Sequence, residues 1–295
     1  AQNNIILNSD TKEITYKITQ NKDSIKLDIY PALKKRHVKS PIVVFIHGGA
    51  WAKGDKELKQ YYAKSIKDTL QMNGYTVFSI NYRLVSKNIS VTDQVDDCND
   101  ALNWILEHAD NYNLDVNNIG LWGESAGAHL ALITAYKANS VTKPKLRFII
   151  DNFGPTDLNK VLKTNASWFT RKTYKLLLPK LYDIREKLIF AMTTYDINTH
   201  KEEAITAAQQ YSPIEYVEEA DKIPTLILHG NRDFIVPFKQ SKNLHQELNK
   251  LAVNNKLIKV KKGNHGFTNI PKEDVHHLIK ETYLFIQQNY IENTF

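Results

Sequence analysis

Short, strongly apolar runs alternate along this chain with longer segments whose apolar residues recur at helical spacing. That alternation predicts an α/β fold with a mostly parallel central sheet and helices on both of its faces. Residues 13–18 and 25–30 differ from the other runs because apolar and polar positions alternate in them, which predicts an opening antiparallel pair of strands. The remaining runs are more continuously apolar, as strands covered on both faces should be: PIVVFIH, YTVFSINY, NIGLWGE, RFIIDNFG and TLILHG.

Two segments between these runs have the spacing of crossover helices, KELKQYYAKSIKDTLQMNG and DQVDDCNDALNWILEHAD. The first closes on Gly74, a residue type that commonly ends helices. The second contains Asp96, Asp97 and Asp100. We interpret these carboxylates as charges near the start of a helix, where negative charge is favourable, rather than as an acid/base site.

The interval 155–213 is too long for an ordinary connection between a strand and a helix. It is rich in aromatic residues and leucine, and blocks such as TYKLLLPKLYDIREKLIFAM predict helices. Connections that leave the carboxyl ends of strands lie over the ligand crevice of such a sheet, so we expect this insertion to act as a cap. We therefore expect a single domain over residues 1–295 with a cap insertion at 155–213.

The composition narrows the classes of function. The chain has 295 residues and a net charge of +7, but its lysines are dispersed and no nucleic-acid motif appears, so we expect no nucleic-acid partner. No run approaches the roughly 18 consecutive apolar residues that span a bilayer. The single cysteine, Cys98, excludes an intramolecular disulfide and any multi-cysteine metal site.

The first residue bears on where the protein works. Ala1 in place of a methionine fits either a cloning choice or the small residue that remains after signal-peptide cleavage. We favour a secreted or periplasmic protein over a cytoplasmic one, because a small residue at this position fits the cleavage rule. The sequence leaves the oligomeric state open.

Ser125 stands between two glycines in GESAG, directly after an apolar run and directly before a helix-like one. A strand that turns on one residue into a helix leaves no room for side chains on either side, and Gly123 and Gly127 supply that room. The turn would expose the serine hydroxyl as a nucleophile and point the N–H of Ala126 toward a developing oxyanion. The alternative is a serine that only caps the helix, and the motif by itself leaves both open.

Four further residues supply what a serine nucleophile needs. Gly48 and Gly49 follow the first central strand and can turn backbone N–H groups toward a ligand, although a tight strand-to-helix turn is the alternative. A serine also needs a base, and the base needs an acid that fixes its tautomer. Asp233 and His265 each follow a predicted strand, which gives the chain order Ser, Asp, His of α/β-hydrolases.

Six motifs together resemble those of α/β-hydrolases of the hormone-sensitive-lipase-like and acetyl/feruloyl-esterase groups, over about residues 25–290: HGGAW, NYRL, GESAGAHLA, GPTDL, HGNRD and NHGF. The resemblance implies a serine carboxylic-ester hydrolase that needs no cofactor. The roles it implies are Ser125 as nucleophile, His265 as base, Asp233 as acid, and Gly48, Gly49 and Ala126 as oxyanion donors.

We assign the other histidines near these motifs to structure. His47 is expected to brace the glycine loop, His129 to pack in the core one helical turn beyond the nucleophile, and His229 to support the Asp233 loop. His276 and His277 are expected to be exposed on an amphipathic C-terminal helix. No pair of histidines has metal-ligand spacing with carboxylate support, so we expect no metal.

Contacts to the substrate are less strongly specified. Glu124, beside the nucleophile, is a candidate to brace the oxyanion loop or the pocket, and Trp51 is a second candidate contact. Trp168 and Phe169 stand among lysines in the expected cap and would suit stacking on a sugar or aromatic ring. The alternative is that these aromatic residues only pack the cap onto the sheet. No long apolar helix would shelter a fatty chain, so we expect short acyl groups, acetyl to butyryl.

These observations support one primary hypothesis and two alternatives. The primary one is an esterase whose substrate is a small-molecule or carbohydrate ester, the latter acetylated or feruloylated. An arylformamidase or small amide hydrolase is the second, because HGGAW also resembles part of the formamidase pattern. A non-catalytic binding protein on the same fold is the third, but it would be expected to lack a nucleophile, base or acid, and all three residues are present.

Overall fold

A computed structural model describes residues 11–137, 145–218 and 222–292. Ala1, on which the expectation of export depends, lies outside these ranges. Eight strands lie within them: β1 (Lys12–Ile18), β2 (Ser24–Tyr30), β3 (Ser40–Ile46), β4 (Thr76–Ile80), β5 (Leu114–Glu124), β6 (Leu146–Asn152), β7 (Thr225–Gly230) and β8 (Asn255–Val260).

These strands form one sheet in the order β1-β2-β4-β3-β5-β6-β7-β8. β1 pairs antiparallel with β2, and β2 pairs antiparallel with β4. All other neighbours in the sheet run parallel. The opening antiparallel pair and the mostly parallel sheet predicted from the sequence are therefore confirmed.

Alternate residues of the central strands contribute to two separate cores. On β3, Ile42 and Val44 belong to one core and Val43 and Phe45 to the other, and all four are buried. Side chains alternate across a strand, so a strand covered on both faces needs an apolar residue at every position. This requirement explains the continuous apolar runs in the sequence.

The described part of the chain contains nine α-helices: α1 (Tyr61–Met72), α2 (Val91–Glu107), α3 (Ala126–Tyr136), α4 (Leu158–Leu162), α5 (Trp168–Leu177), α6 (Pro179–Thr193), α7 (Lys201–Gln210), α8 (Lys239–Lys250) and α9 (Lys272–Gln288). α1 and α9 contribute to the core on one face of the sheet, and α2, α3 and α8 to the core on the other. This arrangement confirms the predicted fold class. Within the described ranges, no helix is both long and apolar enough to cross a membrane.

The sequence interpretation placed the three aspartates of α2 near the start of that helix, but in the structure they lie further along it. Asp96 and Asp97 lie in its second turn and Asp100 in its third. Asp97 is fully buried and accepts hydrogen bonds from Arg83 Nε at 2.8 Å and from Lys17 Nζ at 2.6 Å. The interpretation was wrong because it considered α2 alone. The cations that pair with Asp97 come from other parts of the chain, and the sequence of α2 does not reveal them.

Residues 155–213 contain helices α4 to α7, so the helices predicted for this interval are present. The block 173–192 forms two helices instead of one, because Pro179 opens α6. A proline disfavours the helical conformation in the residue before it, and Leu178 has φ −136° and ψ 58°. That this segment acts as a cap stays a prediction.

Candidate active site

The chain turns from β5 into α3 on a single residue, Ser125. Its backbone has φ 54° and ψ −119°, a conformation that a residue with a side chain adopts only under strain. The turn depends on Gly127, where a Cβ atom would lie 2.0 Å from the carbonyl oxygen of Ile46. The absence of side chains beside the turn lets α3 begin close against β3.

Ser125, His265 and Asp233 form a continuous hydrogen-bonded chain. Ser125 Oγ lies 2.9 Å from His265 Nε2, and His265 Nδ1 lies 2.6 Å from Asp233 Oδ2. A carboxylate accepts hydrogen bonds, so Nδ1 carries the proton and donates to Asp233, and Nε2 is left to accept from the serine hydroxyl. The structure thus brings together the three residues that the sequence placed in different loops, and the tautomer of His265 suits a base acting on Ser125.

Asp233 is held by four hydrogen-bond donors. Its Oδ1 accepts from the N–H groups of Ile235 and Val236, each at 2.9 Å, and its Oδ2 lies 3.2 Å from His229 Nε2 as well as beside His265. Burial by itself would raise the pKa of this carboxyl, but the hydrogen bonds from His229 and His265 outweigh burial and hold the pKa well below its usual range. Asp233 therefore remains ionised and fixed in orientation.

His229 supports the Asp233 loop, as expected from the sequence. Its Nε2 lies 2.8 Å from the carbonyl oxygen of Val236, and its Nδ1 lies 2.7 Å from Ser241 Oγ. The carbonyl can only accept, so Nε2 carries a proton and donates it to Val236. The same nitrogen lies 3.2 Å from Asp233 Oδ2 and so joins the Asp233 carboxylate to its own loop.

Phe153 is a site residue that the sequence interpretation missed. It lies at the carboxyl end of β6 with φ 47°, and its ring meets the His265 ring at a centroid distance of 4.6 Å and an interplanar angle of 63°. Packing of this kind restricts rotation of the imidazole. The position of Phe153 directly after a buried strand, at the edge where the loops converge, was the signal that could have identified it.

The glycine loop after β3 passes against the nucleophile. A Cβ atom on Gly48 would lie 3.2 Å from Ser125 Cβ, and Gly49 has φ +122°, a conformation that favours glycine. The N–H groups of Gly48, Gly49 and Ala126 donate to no backbone carbonyl of the described residues. They are therefore available to an oxyanion at Ser125, although their role as donors stays a prediction.

His47 braces this loop from beneath. Its Nδ1 lies 2.7 Å from the carbonyl oxygen of Gly48, and its ring stacks on Tyr82 at 4.3 Å. The hydroxyl of Tyr82 in turn donates to the carbonyl of His47 at 2.8 Å. Burial lowers the pKa of His47, which favours the neutral ring that this packing needs.

Ser125 and His265 open into a cavity of about 500 Å³. Phe45, Ala63 and Phe153 give it an apolar part. Its other lining residues include the charged side chains of the loop that leads into α1, namely Lys53, Asp55, Glu57 and Lys59. The cavity therefore combines a small apolar region with a polar one.

Glu124 lines this cavity and is 7% exposed. Burial raises the pKa of its carboxyl to about 7, and the side chain of Asn152, its neighbour in the β5–β6 pair, partly offsets this effect. Within the described residues, Oε1 of Glu124 has no hydrogen-bond partner. Glu124 thus brings a buried carboxyl oxygen to the wall of the cavity, and its contact with substrate stays a prediction.

Trp51 is not among the residues that line this cavity, so its contact with substrate stays a prediction. Its side chain is 3% exposed, and its indole N–H donates to His129 Nδ1 at 3.1 Å. His129 Nε2 donates to the carbonyl of Tyr211 at 2.7 Å, and burial lowers the pKa of His129 to about 4. His129 is thus a neutral core residue, as expected, and Trp51 is its packing partner.

The predicted cap contacts Trp168 and Phe169 are not brought to Ser125 either. They are 71% and 72% exposed on α5 and line neither the cavity at Ser125 nor its neighbour. Contact of these two rings with substrate stays a prediction, because an amphipathic pattern does not reveal which way a helix faces in a segment without a partner strand. Instead, Ile184, Leu188 and Phe190 of α6 line a second cavity of about 670 Å³, and Ala50 lines both cavities.

His276 is exposed on α9, as expected, and its Nε2 lies 2.8 Å from the hydroxyl of Tyr61. No group of three or more histidine, cysteine, aspartate or glutamate side chains in residues 11–137, 145–218 and 222–292 is arranged to hold a metal ion.

Comparisons with known proteins identify the family of this chain. The family model BD-FAE matches residues 27–248. Among curated relatives, Esterase LipC of Mycobacterium tuberculosis is 26% identical over 71% of this chain and 48% of its own length. Probable carboxylic ester hydrolase LipM of the same organism is 25% identical over 72% of this chain and 46% of its own length. The chain thus spans about half the length of these curated relatives.

Solved structures share the fold. A truncated carbohydrate esterase from gut microbiota is 22% identical and has a TM-score of 0.70, with 95% of this chain and 96% of that chain covered. The propionate-bound esterase Est2 of Thermogutta terrifontis is also 22% identical with a TM-score of 0.70, and 97% of this chain and 96% of that chain are covered. At this identity the likeness shows the fold alone. The resemblance to the α/β-hydrolase group stated from the motifs is confirmed.

Proposed function

The chain belongs to the BD-FAE family, and from the chemistry of its site we propose that it is a serine carboxylic-ester hydrolase acting on short-chain acyl esters, acetyl to butyryl. The observation that carries the proposal is the unbroken chain of hydrogen bonds from Ser125 through His265 to Asp233 beside a cavity of about 500 Å³. Such a chain converts an otherwise weak hydroxyl into a nucleophile at neutral pH.

In the proposed first step, Ser125 Oγ forms a bond to the ester carbonyl carbon while its proton passes to His265 Nε2. The negative charge moves to the carbonyl oxygen, where the N–H groups of Gly48, Gly49 and Ala126 would stabilise it. Asp233 stabilises the imidazolium that forms and keeps it in the productive orientation. The ionised, four-fold hydrogen-bonded state of Asp233 supports this role.

The tetrahedral intermediate then collapses with cleavage of the bond to the alcohol oxygen. His265 Nε2 returns its proton to that oxygen, and the alcohol leaves an acyl group on Ser125. Water then attacks the acyl carbon and gives a proton to His265 Nε2. The second tetrahedral intermediate collapses with cleavage of the bond to Ser125 Oγ, His265 returns the proton to that oxygen, and the carboxylic acid leaves. No group beyond this chain's own side chains and water is needed.

The lining of the two cavities supports the substrate class. The small apolar part near Phe45 and Phe153 suits a short acyl group, and the charged residues Lys53, Asp55 and Glu57 suit a hydroxylated alcohol such as a carbohydrate. Glu124 adds an unpaired carboxyl oxygen at this site. The second cavity, with Phe190, has apolar walls that suit the aromatic ring of a feruloyl group.

A panel of esters tests the substrate class. We expect kcat/KM for nitrophenyl esters of two to sixteen carbons to peak at four carbons or fewer, and acetylated xylan oligomers to be deacetylated. A peak at ten carbons or beyond would overturn the short-chain assignment. Faster cleavage of N-formylkynurenine than of any ester, methyl ferulate included, would instead favour an amide hydrolase.

A labelling experiment tests whether the protein is an enzyme at all. A fluorophosphonate probe reacts with an activated serine, so we expect one label per chain, on Ser125, and no label on the Ser125→Ala variant. Folded protein that takes up no probe would contradict the nucleophile and favour a binding protein on this fold.

A further inference from the structure

The hairpin formed by α5 and the start of α6 carries an apolar surface that nothing in the described chain covers. Six side chains form what we call the outer hairpin face: Trp168, Phe169, Leu176, Leu177, Leu178 and Leu181. Their exposed fractions range from 47% at Leu178 to 80% at Leu176. α5 contains no buried residue, so these side chains do not serve its packing. Large exposed apolar surfaces mark interaction sites.

The spacing on α5 concentrates this surface on one side of the helix. Phe169 and Leu176 are seven residues apart and therefore lie almost in line, with Trp168 and Leu177 flanking them. Lys172 lies within this stripe, between Trp168 and Leu176, and Lys175 lies beside Trp168. A helix with aromatic and leucine side chains on one face and lysines beside them is typical of helices that lie in a membrane interface.

The charged side chains of residues 167–181 are all cationic, and one of them, Arg171, lies 3.9 Å from Glu186 further along α6. Residues 167–181 include Arg171, Lys172, Lys175 and Lys180 and contain no aspartate or glutamate. Three of these cations are exposed, and Lys172 lies over the Trp168 ring at 4.9 Å, where it can follow the ring into an interface. An anionic surface is complementary to this patch, since lysines near such a surface are attracted to it.

A second copy of the chain is a poorer occupant. A two-fold dimer interface presents the same patch from both subunits, so it would bring these cations together without opposing carboxylates. We therefore propose that the outer hairpin face docks the protein on an anionic lipid surface, lying in the interface without spanning the bilayer. The docking does not depend on the proposed ester hydrolysis.

Vesicle binding tests this proposal. We expect the protein to bind vesicles containing phosphatidylglycerol at a lipid concentration about tenfold lower than it needs for pure phosphatidylcholine vesicles, and salt to weaken the binding. Trp168 is the most exposed of the tryptophans, so its fluorescence should shift to shorter wavelength on binding. A Trp168→Phe variant should lose that shift and still bind.

A double substitution separates the outer hairpin face from charge in general. Leu176→Glu with Leu177→Glu should weaken binding about tenfold or more, whereas the matched control Ile18→Glu with Val38→Glu should change it less than about twofold. Circular dichroism should show both variants folded. Absence of binding to phosphatidylglycerol vesicles, or equal loss in the control, would overturn the proposal. So would a dimer in light scattering that the Leu176/Leu177 variant dissociates, because a second copy would then cover the face.

Discussion

The carboxyl edge of the sheet and the α5–α6 hairpin differ in how their side chains are held. At the edge, Asp233 has four donors, His265 is fixed between Asp233 and Ser125, and Ser125 stands in a strained turn. On the hairpin, α5 buries no residue and its aromatic side chains extend into solvent. Several contacts fix each group at the edge, as a preorganised site requires. The hairpin side chains are not fixed in this way and offer only an exposed apolar and cationic surface.

The largest effect should come from the nucleophile. We expect Ser125→Ala to lower kcat for a short nitrophenyl ester by about 10⁴-fold or more, because no other hydroxyl occupies that turn. The melting temperature should stay close to that of the wild type, since only one pocket-facing hydroxyl is lost. Ser65→Ala on α1, which does not line the cavity, is the matched control and should retain full turnover. Near-normal turnover of purified Ser125→Ala would eliminate the mechanism.

Substitution of two histidines near the nucleophile should then distinguish a loss of catalysis from a loss of packing. His265→Ala should reduce kcat by about 10³-fold or more, because the serine loses its base. His129→Ala should leave kcat within about threefold, but it should cost about 2–3 kcal/mol of unfolding free energy, because Trp51 Nε1 and the Tyr211 carbonyl lose their partner. Turnover and urea denaturation of both variants provide the measurements. A loss of turnover in His129→Ala as large as in His265→Ala would contradict this separation.

The same contrast explains which parts of the structure could be predicted from the sequence. The edge was predictable because its backbone geometry demands particular residues: Gly127 has no space for a side chain, and loops after parallel strands must meet. Chain order then placed Asp233 and His265 beside Ser125. Catalytic roles at these positions remain predictions until the variants are measured.

The hairpin was not predictable in the same way. The apolar spacing of residues 168–178 fits a helix that packs inward as well as one that faces outward, and only its neighbours decide. The partner of the Trp51 indole was unpredictable for a related reason: proximity in sequence to the glycine loop does not indicate this partner, which is a histidine 78 residues away. Long-range pairing of single side chains has no local signal.

An effect of intermediate size is expected on the free energy of unfolding when either of two buried carboxyls is replaced, Glu124 or Asp151. The two differ in access to the cavity. Burial raises the pKa of Glu124 from 4.5 and of Asp151 from 3.8, in each case to about 7. In both, the unfolded chain ionises at lower pH than the native protein, so each group destabilises the fold progressively as pH rises to about 7, from about 4.5 for Glu124 and from about 3.8 for Asp151. We expect the effect of Glu124→Gln on stability to be absent at pH 4, that of Asp151→Asn to be small there, and both substitutions to raise stability at pH 8 by about 3 kcal/mol.

Activity should then separate this pair. Glu124 lines the cavity at Ser125 and Asp151 does not, so Glu124→Gln should lower kcat/KM for an acetylated sugar several-fold, while Asp151→Asn stays within about twofold. Chemical denaturation at both pH values and kinetics with acetylated xylan oligomers are the measurements. Equal kinetic losses in the two variants would mean that the effect of Glu124 passes through stability and not through contact with substrate.

The smallest effect should come from the hairpin aromatics. The double variant Trp168→Ala with Phe169→Ala should keep kcat/KM for soluble acetyl and butyryl esters within about twofold, because both rings are exposed and neither lines the cavity at Ser125 or the second cavity. Phe190→Ala is the matched control: it removes an aromatic ring from the wall of the second cavity and should lower kcat/KM for methyl ferulate several-fold. A loss of tenfold or more in the Trp168/Phe169 variant would mean that the hairpin closes over Ser125 during turnover. The hairpin would then be a cap that moves over the site, and not a surface that stays exposed beside a fixed edge.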